Sequence, residues 1–380
     1  MIITNARMVL PNEVVHGSLC TEGAQIRSID SGPSSMASAL DFEGDYLLPG
    51  LVELHTDNLE KHLMPRPKVR WPTLPAILAH DVQIAGAGIT TVLDALSVGD
   101  IDHESVRLET LTEAADLIAF AAREKLLRAD HLLHLRCEIA VPGVVEMFSP
   151  FVTDPRLRLV SLMDHTPGQR QWTNLAHYRT YVTGKKGWSE EKVDHMLTTL
   201  LDAQQAFAEQ HRRSIVQRCQ QHNIPLATHD DTTPAHVQQA LAEGVAISEF
   251  PTTLAAARLA RAGGMATIMG SPNMVRGGSH SGNVASADIA RAGLLDALSS
   301  DYVPASLLHS AFLLTAQAGF SLPQAVATVA STPARIVGLH DRGELRAGLR
   351  ADFLRVKTAA HNGNHYPVVR AVWRGAERIA

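Results

Sequence analysis

The strongest constraint on this chain is an alternation that runs from residue 48 to residue 339: a short apolar run, then a helix-like stretch, eight times over. The apolar runs are 51–54, 91–93, 132–139, 157–163, 225–228, 246–250, 267–269 and 294–298, the last the least distinct. Helical signals lie between them, notably over 103–127, 189–221, 234–243 and 304–319. Ser189 precedes Glu190 and Glu191, so a helix beginning there has acidic side chains at its positive end. Ser321-Leu-Pro-Gln324 reads as a capping box. Parallel strands need long crossovers, which helices supply, so eight repeats predict an α/β fold of the (β/α)8 TIM-barrel type. A doubly wound sheet alternates in the same way. No GxGxxG follows the first run, however, and no phosphate-binding P-loop is present.

The 380 residues exceed one small domain and suit a large α/β domain with an accessory piece. Segments 1–47 and 340–380 read as short strands and turns of different character, and are expected to pair into one small β-sandwich domain flanking the 48–339 barrel. Hydrophobic residues at 45% and charged residues at 19% exclude intrinsic disorder. With 34 basic and 39 acidic residues, the net charge of −5 gives no general attraction to nucleic acid or an anionic membrane. An anionic ligand must therefore be held by local charge. No apolar run approaches the roughly 20 residues of a membrane helix, and the start lacks a signal-peptide pattern. Cys20, Cys137 and Cys219 form neither a disulfide framework nor a zinc ribbon. A soluble, cytoplasmic protein is expected.

Chemistry concentrates where the runs end. The first leads into His55 and Asp57, which share one strand face; others end at Glu138, at Asp164-His165, at His229-Asp230-Asp231 and at Asp301. In a barrel the carboxyl ends of the strands converge on one face. His55, Asp57, Glu138, His165, His229 and Asp301 are therefore the expected ligands of one or two divalent ions. Mixed nitrogen and oxygen donors suit Zn²⁺, Mn²⁺ or Fe²⁺ better than Ca²⁺, and Glu138 is a candidate bridge. The competing reading is ordinary: an Asp or His after a strand commonly forms a turn or caps a helix. Asp230 and Asp231, just before Thr232-Thr233-Pro234, fit it well. Whether Asp164, Asp230 or Glu249 join the site is left open.

The order of motifs resembles the amidohydrolase superfamily. Leu47-Leu48-Pro49-Gly50-Leu51-Val52-Glu53-Leu54-His55-Thr56-Asp57 is similar to its first-strand signature, with Asp57 where the usual form has a second His. Gly88–Asp94, Ser331-Thr332-Pro333-Ala334-Arg335, and Gly343 through Gly348 to Ala351-Asp352 resemble its later hallmarks. The resemblance covers almost the whole chain. It implies a barrel that activates water with metal and a last-strand Asp, matching Asp301. Rarer strings are similar to the phosphonate-metabolism branch: His55-Thr56-Asp57-Asn58-Leu59-Glu60-Lys61-His62, Met163-Asp164-His165-Thr166-Pro167-Gly168-Gln169-Arg170-Gln171, and residues 270–283. That likeness implies cleavage of a ribose 5-triphosphate to the 5-phosphate and pyrophosphate.

Such a substrate needs concentrated positive charge. Arg66 and Lys68 on a proline-stiffened loop, and Arg276, His280 and Asn283 around a Gly-Gly turn, are the expected phosphate contacts. The basic turn Thr183-Gly184-Lys185-Lys186-Gly187 reads as a lid or a plain surface loop. Zn²⁺ is the first choice of metal, and the anionic Asp57 keeps Mn²⁺ and Mg²⁺ in contention. The rivals are a cyclic amidase or deaminase of the same superfamily, and a barrel without activity. A neutral ring would need no such basic segments. Homo-oligomerisation is left open.

Overall fold

The computed structural model describes residues 1–66, 69–100, 107–172, 175–186, 188–279, 282–362 and 364–380. The two ends of the chain share one sheet. Its strands are β1 (Ile2–Val9), β2 (Val14–Glu22), β3 (Gln25–Ser31), β4 (Leu40–Asp41) and β5 (Tyr46–Pro49), then β14 (Phe353–His361), β15 (Asn364–Arg374) and β16 (Glu377–Arg378). They run in the order β16-β15-β14-β5-β1-β2-β3, with β4 beside β1. Antiparallel pairs dominate, but β1 runs parallel to β4 and β5. Leu19, Phe42, Phe353 and Trp373 fill its core. Trp373 stacks on Phe42 at 5.7 Å and tilts on Phe353 at 5.2 Å. Pairing of β5 with β14 joins the two ends through Pro49–Phe353 and Leu48–Leu354.

The alternating middle forms a near-closed barrel of eight parallel strands. These are β6 (Leu51–Thr56), β7 (Ile89–Val98), β8 (Asp130–Glu138), β9 (Leu157–Met163), β10 (Leu226–His229), β11 (Ile247–Glu249), β12 (Ala266–Gly270) and β13 (Ala297–Ser299). They lie in sequence order, and a parallel bridge between Thr56 and Asp301 links the first to the last. Every apolar run became a strand. The last moved: Leu294 and Leu295 precede β13, because Gly293 at φ 69° ends the preceding helix in a turn.

Helices fill the connections. α1 (Asn58–Leu63) and α2 (Thr73–Gly86) follow β6, α3 (Arg107–Arg123) follows β7, and α4 (Val144–Phe148) follows β8. α5 (Leu175–Lys186) and α6 (Glu190–Gln221) follow β9, α7 (Pro234–Ala242) follows β10, and α8 (Leu254–Ala262) follows β11. α9 (Ser271–Arg276) and α10 (Ser286–Arg291) follow β12; α11 (Ser306–Gln317), α12 (Leu322–Ala327) and α13 (Ser331–Ile336) follow β13. Ser189 caps α6 through Lys192 N, and Ser321 with Gln324 forms the complete capping box of α12. Residues 183–186 are not a loop but the last turn of α5, and Gly187 lies outside the described residues. Among the described residues no helix is long and apolar enough to cross a membrane.

The chain packs as two compact units. The first comprises Met1–Asp94, Ala114–Leu132 and Met269–Ala380, and so holds the terminal sheet with β6, β13, α1 and α2. The second comprises Ala95–Glu113 and Leu133–Ile268, and holds β9 to β11 with α4 to α8.

Candidate metal centre and active site

In the first unit the site residues gather where β6 and β13 end. β6 is buried along its whole length, which suits a barrel strand packed on both faces. Glu53 and His55 share a face by the two-residue period. Glu53 is completely buried, and its carboxylate accepts from His55 N at 2.7 Å and Ser300 N at 2.6 Å. Burial pushes the Glu53 carboxyl above its usual range, despite those bonds. The backbone completes the junction: Asp301 N donates to His55 O at 3.0 Å and Asp57 N to Asp301 O at 3.2 Å. His55, Asp57 and Asp301 are thus on one hydrogen-bonded corner. Asp57 occupies the cap position of α1, yet its carboxylate does not cap that helix. Asp301 stands in left-handed backbone at φ 52°, a conformation that costs free energy and is frequent at functional sites.

In the second unit, two histidines are each held by a carboxylate. His165, after β9, places Nδ1 2.6 Å from Glu138 Oε2, while Glu138 Oε1 accepts His165 N at 2.9 Å. His229, ending β10, places Nδ1 2.8 Å from Glu249 Oε2. Glu249 also accepts from Ser161 Oγ at 2.9 Å, and Ser161 is 2.6 Å from His134 Nε2. Burial alone would raise the Glu138 carboxyl, but the His165 charge and hydrogen bonds outweigh it and hold it below its usual range. Burial likewise opposes a charge on His165, and Glu138 reverses that and raises its pKa. The two rings meet edge to face at 5.6 Å. His165, His229 and Asp230 each offer one ligand atom, all within 4.8 Å of one another.

This donor set fits a divalent cation. A metal-binding imidazole commonly gives its second nitrogen to a carboxylate, which fixes ring and tautomer. Both histidines do this with Nδ1. His229 Nε2 is 3.5 Å from Asp230 Oδ2, and His165 Nε2 makes no hydrogen bond among the described residues. Asp230 is not a helix cap: it sits in left-handed backbone at φ 57°, and α7 is capped by Thr233. Asp231 is spent on Arg170 and on Thr228 Oγ1, the latter at 2.6 Å. Asp164 builds its own loop, accepting from Thr166 N at 3.1 Å and Gln204 at 3.2 Å.

The expected phosphate contacts are less collected. Arg66 is exposed, and its carbonyl accepts from Val69 N at 3.0 Å. Arg276 is exposed at the last turn of α9, and Asn283 is half-buried. Lys68 and His280 lie outside the described residues. The Gly-Gly turn has a local cause. Gly277 takes φ 78° to end α9, and the Gly277 and Gly278 N–H groups go to Met274 O at 3.3 Å and Asn273 O at 2.9 Å.

Glu53, Ser161, His134 and Arg170 were not singled out from sequence. Glu53 stands two residues before His55, so strand periodicity carried the signal. Ser161 and His134 sit inside apolar runs, where a polar side chain needs a partner.

Comparison with known proteins agrees with this architecture. The chain belongs to the amidohydrolase family, whose model matches residues 162–361, and it is a hydrolytic enzyme. Over 381 aligned residues, covering all of both chains, it is 44% identical to alpha-D-ribose 1-methylphosphonate 5-triphosphate diphosphatase of Escherichia coli K12. Among solved structures it is similar to 5-methylcytosine deaminase of Klebsiella pneumoniae, with TM-score 0.63, 16% identity, and 100% of this chain and 98% of that one covered. N-acetyl-D-glucosamine-6-phosphate deacetylase of Mycobacterium smegmatis gives TM-score 0.64 at 15% identity, with 100% of each chain covered. At those identities the likeness is one of fold.

Proposed function

We propose that this enzyme hydrolyses alpha-D-ribose 1-methylphosphonate 5-triphosphate to the 5-phosphate and pyrophosphate, a step in phosphonate breakdown. The observation that carries the reading is the full-length likeness to the Escherichia coli diphosphatase. Donors for one or two divalent ions would be His55, Asp57 and Asp301 in the first unit, and His165, His229 and Asp230 in the second, zinc first, with manganese and magnesium as harder alternatives for the carboxylate-rich donors. Such an ion supplies neutralisation of phosphoryl oxygens and acidification of water. Glu138, expected from the sequence as a ligand and candidate bridge, is proposed instead to orient His165, on which both its oxygens are engaged; Glu249 orients His229 through its short contact to Nδ1. Asp301 takes the proton of the attacking water. Arg66, Lys68, Arg276, His280 and Asn283 hold the triphosphate. Attack falls on the phosphorus beside the ribose, and pyrophosphate departs. The free thiols of Cys20, Cys137 and Cys219 support a reducing, cytoplasmic setting.

Phosphorus NMR of the protein incubated with ribose 5-triphosphates in oxygen-18 water tests the reading. Pyrophosphate should form in one step, and the label should enter the ribose-bound phosphate. Chelation should stop the reaction and added metal should restore it. Release of single phosphates, or label in pyrophosphate, would overturn it.

A further inference from the structure

A second cluster of histidines and carboxylates lies in the first unit. His80 and Asp81 belong to α2, Asp94 to β7 and His131 to β8, and all four are buried. His80, Asp94 and His131 also offer ligand atoms within 4.8 Å of one another. Yet each ring nitrogen already has a partner. His131 Nδ1 is 2.8 Å from Asp94 Oδ2 and its Nε2 3.3 Å from Asp81 Oδ1. His80 Nε2 is 2.8 Å from Asp94 Oδ1, and its Nδ1 is 3.0 Å from Asn58 Nδ2. A metal would have to displace these bonds, so the cluster is a closed network rather than an ion site.

The network has a direction. The Asn58 amide nitrogen only donates, so His80 Nδ1 accepts, and His80 Nε2–H must donate to Asp94. The same amide donates to Gln83 Oε1 at 3.0 Å. Asp81 is anchored in turn by Arg128 N at 2.9 Å and Ala129 N at 3.0 Å. At the other end Asn58 N donates to Thr56 Oγ1 at 3.3 Å, and Thr56 Oγ1 donates to Asp301 O at 2.7 Å. Asn58 is buried and directly follows Asp57. α1 is a single short helix whose cap side chain does not hold it. The corner that carries His55, Asp57 and Asp301 is therefore tied to the interior through Asn58.

We infer that Asn58 and His80, backed by Asp94, His131 and Asp81, are positioning residues that hold the His55–Asp57 corner in metal-binding geometry. This rests on the reading of His55 and Asp57 as ligands. Second-sphere partners of this kind typically change metal affinity about 10–100-fold when removed.

The test compares Zn²⁺ affinity, by competition with a chromophoric chelator, and thermal midpoint in five proteins: wild type, His55→Ala, His80→Leu, His80→Gln and Phe353→Leu. His80→Leu should weaken Zn²⁺ binding about 10–100-fold. His80→Gln should recover most of it, because the glutamine oxygen can accept from Asn58 while its N–H₂ donates to Asp94. Phe353→Leu, in the terminal sheet, should lower the midpoint and leave affinity unchanged. Should His80→Leu fail to fold, Asn58→Ala carries the same expectation and leaves the His80–Asp94–His131 core in place. Wild-type affinity in His80→Leu or Asn58→Ala, beside lost affinity in His55→Ala, would overturn the positioning role. Equal losses in the Leu and Gln variants would overturn it too, since burial and not hydrogen bonding would then be responsible. Unchanged affinity in His55→Ala would instead remove the ligand reading, and this proposal with it.

Discussion

His131 and His165 both lean on carboxylates, but they are left with different resources. His131 is fully engaged, one nitrogen on Asp94 and the other on Asp81, inside regular elements. His165 gives only Nδ1 to Glu138, and stands in the loop after β9. The buried cluster follows regular helix and strand geometry. The strand ends bring in Asp230 and Asp301 at φ 57° and 52°. Left-handed backbone in a non-glycine residue costs on the order of 1–3 kcal/mol, and is sustained only where the surroundings enforce it. The same residue types thus separate by hydrogen-bond saturation. A closed network stabilises and orients, while a half-closed one keeps a nitrogen for a ligand.

The largest effects should come from making one exchange, Asp to Asn, in both regions. Asp301→Asn keeps size and one acceptor, so the fold should survive, while kcat falls by about 10²–10⁴ because a general base is lost. Metal content must be measured alongside the rate, since Asp301 is also a proposed ligand. In Asp94→Asn the order reverses. Removing one partner of a buried, paired charge typically costs about 3–5 kcal/mol, so denaturant unfolding should shift strongly. A stable Asp94→Asn protein, or an Asp301→Asn enzyme with full metal and full rate, would break the comparison.

A smaller effect is expected at Glu249. Its carboxylate serves both Ser161 and His229 through Oε2. In Glu249→Gln the single amide oxygen can still accept, but without charge. Metal affinity should fall about 10–100-fold with little change in thermal midpoint. An equal loss of affinity and stability would place Glu249 with the closed network instead.

The eight strands were legible because apolar runs and caps are local signals. The strand-end His and Asp residues were legible because a barrel gathers its strand ends on one face. The buried cluster was harder to read. α2 buries Thr73, Ala76, Ile77, His80, Asp81, Ile84 and Ala85, so His80 and Asp81 sit within an apolar helical stripe, and Asp94 sits within a wholly buried strand. Each intrusion announces a polar partner, but its partner is distant in sequence, and the pairing appears only once the chain has folded. Thr183–Lys186 misled for the opposite reason. Gly184 and two lysines suggest a turn, yet helix α5 runs through them, its neighbours Tyr178 and Val182 packing with Val193 and Leu197 of α6. Tertiary burial overrode a local breaker.

The weakest and most diagnostic effect is a pH dependence of stability. Burial alone would lower the pKa of His131, but Asp94 and Asp81 outweigh it and push it up to about 10, from an ordinary value of 6.5. A cation stabilised by folding contributes fully below the unfolded value, and loses its contribution as pH rises toward the folded one. Stability of the metal-free protein should therefore decline between pH 6.5 and about 10. Buried thiols add a decline of the same sign, but later: Cys219 is pushed up to about 12, from an ordinary 9.0, so its share begins near pH 9. His165, also raised by Glu138, acts in the earlier window. The difference between wild type and Asp94→Asn reports on His131, because that exchange removes one of its two anions; His80 also meets Asp94, but burial lowers its pKa and keeps it neutral across this range. Urea midpoints taken from pH 6.5 to 9 should fall more steeply in wild type than in Asp94→Asn. Nitrogen-15 NMR should show one imidazolium that persists to pH 9. Parallel slopes, together with a His131 ring already neutral at pH 8, would mean that its two carboxylates do not hold it charged, and the distinction between closed and half-closed clusters would fail at its clearest member.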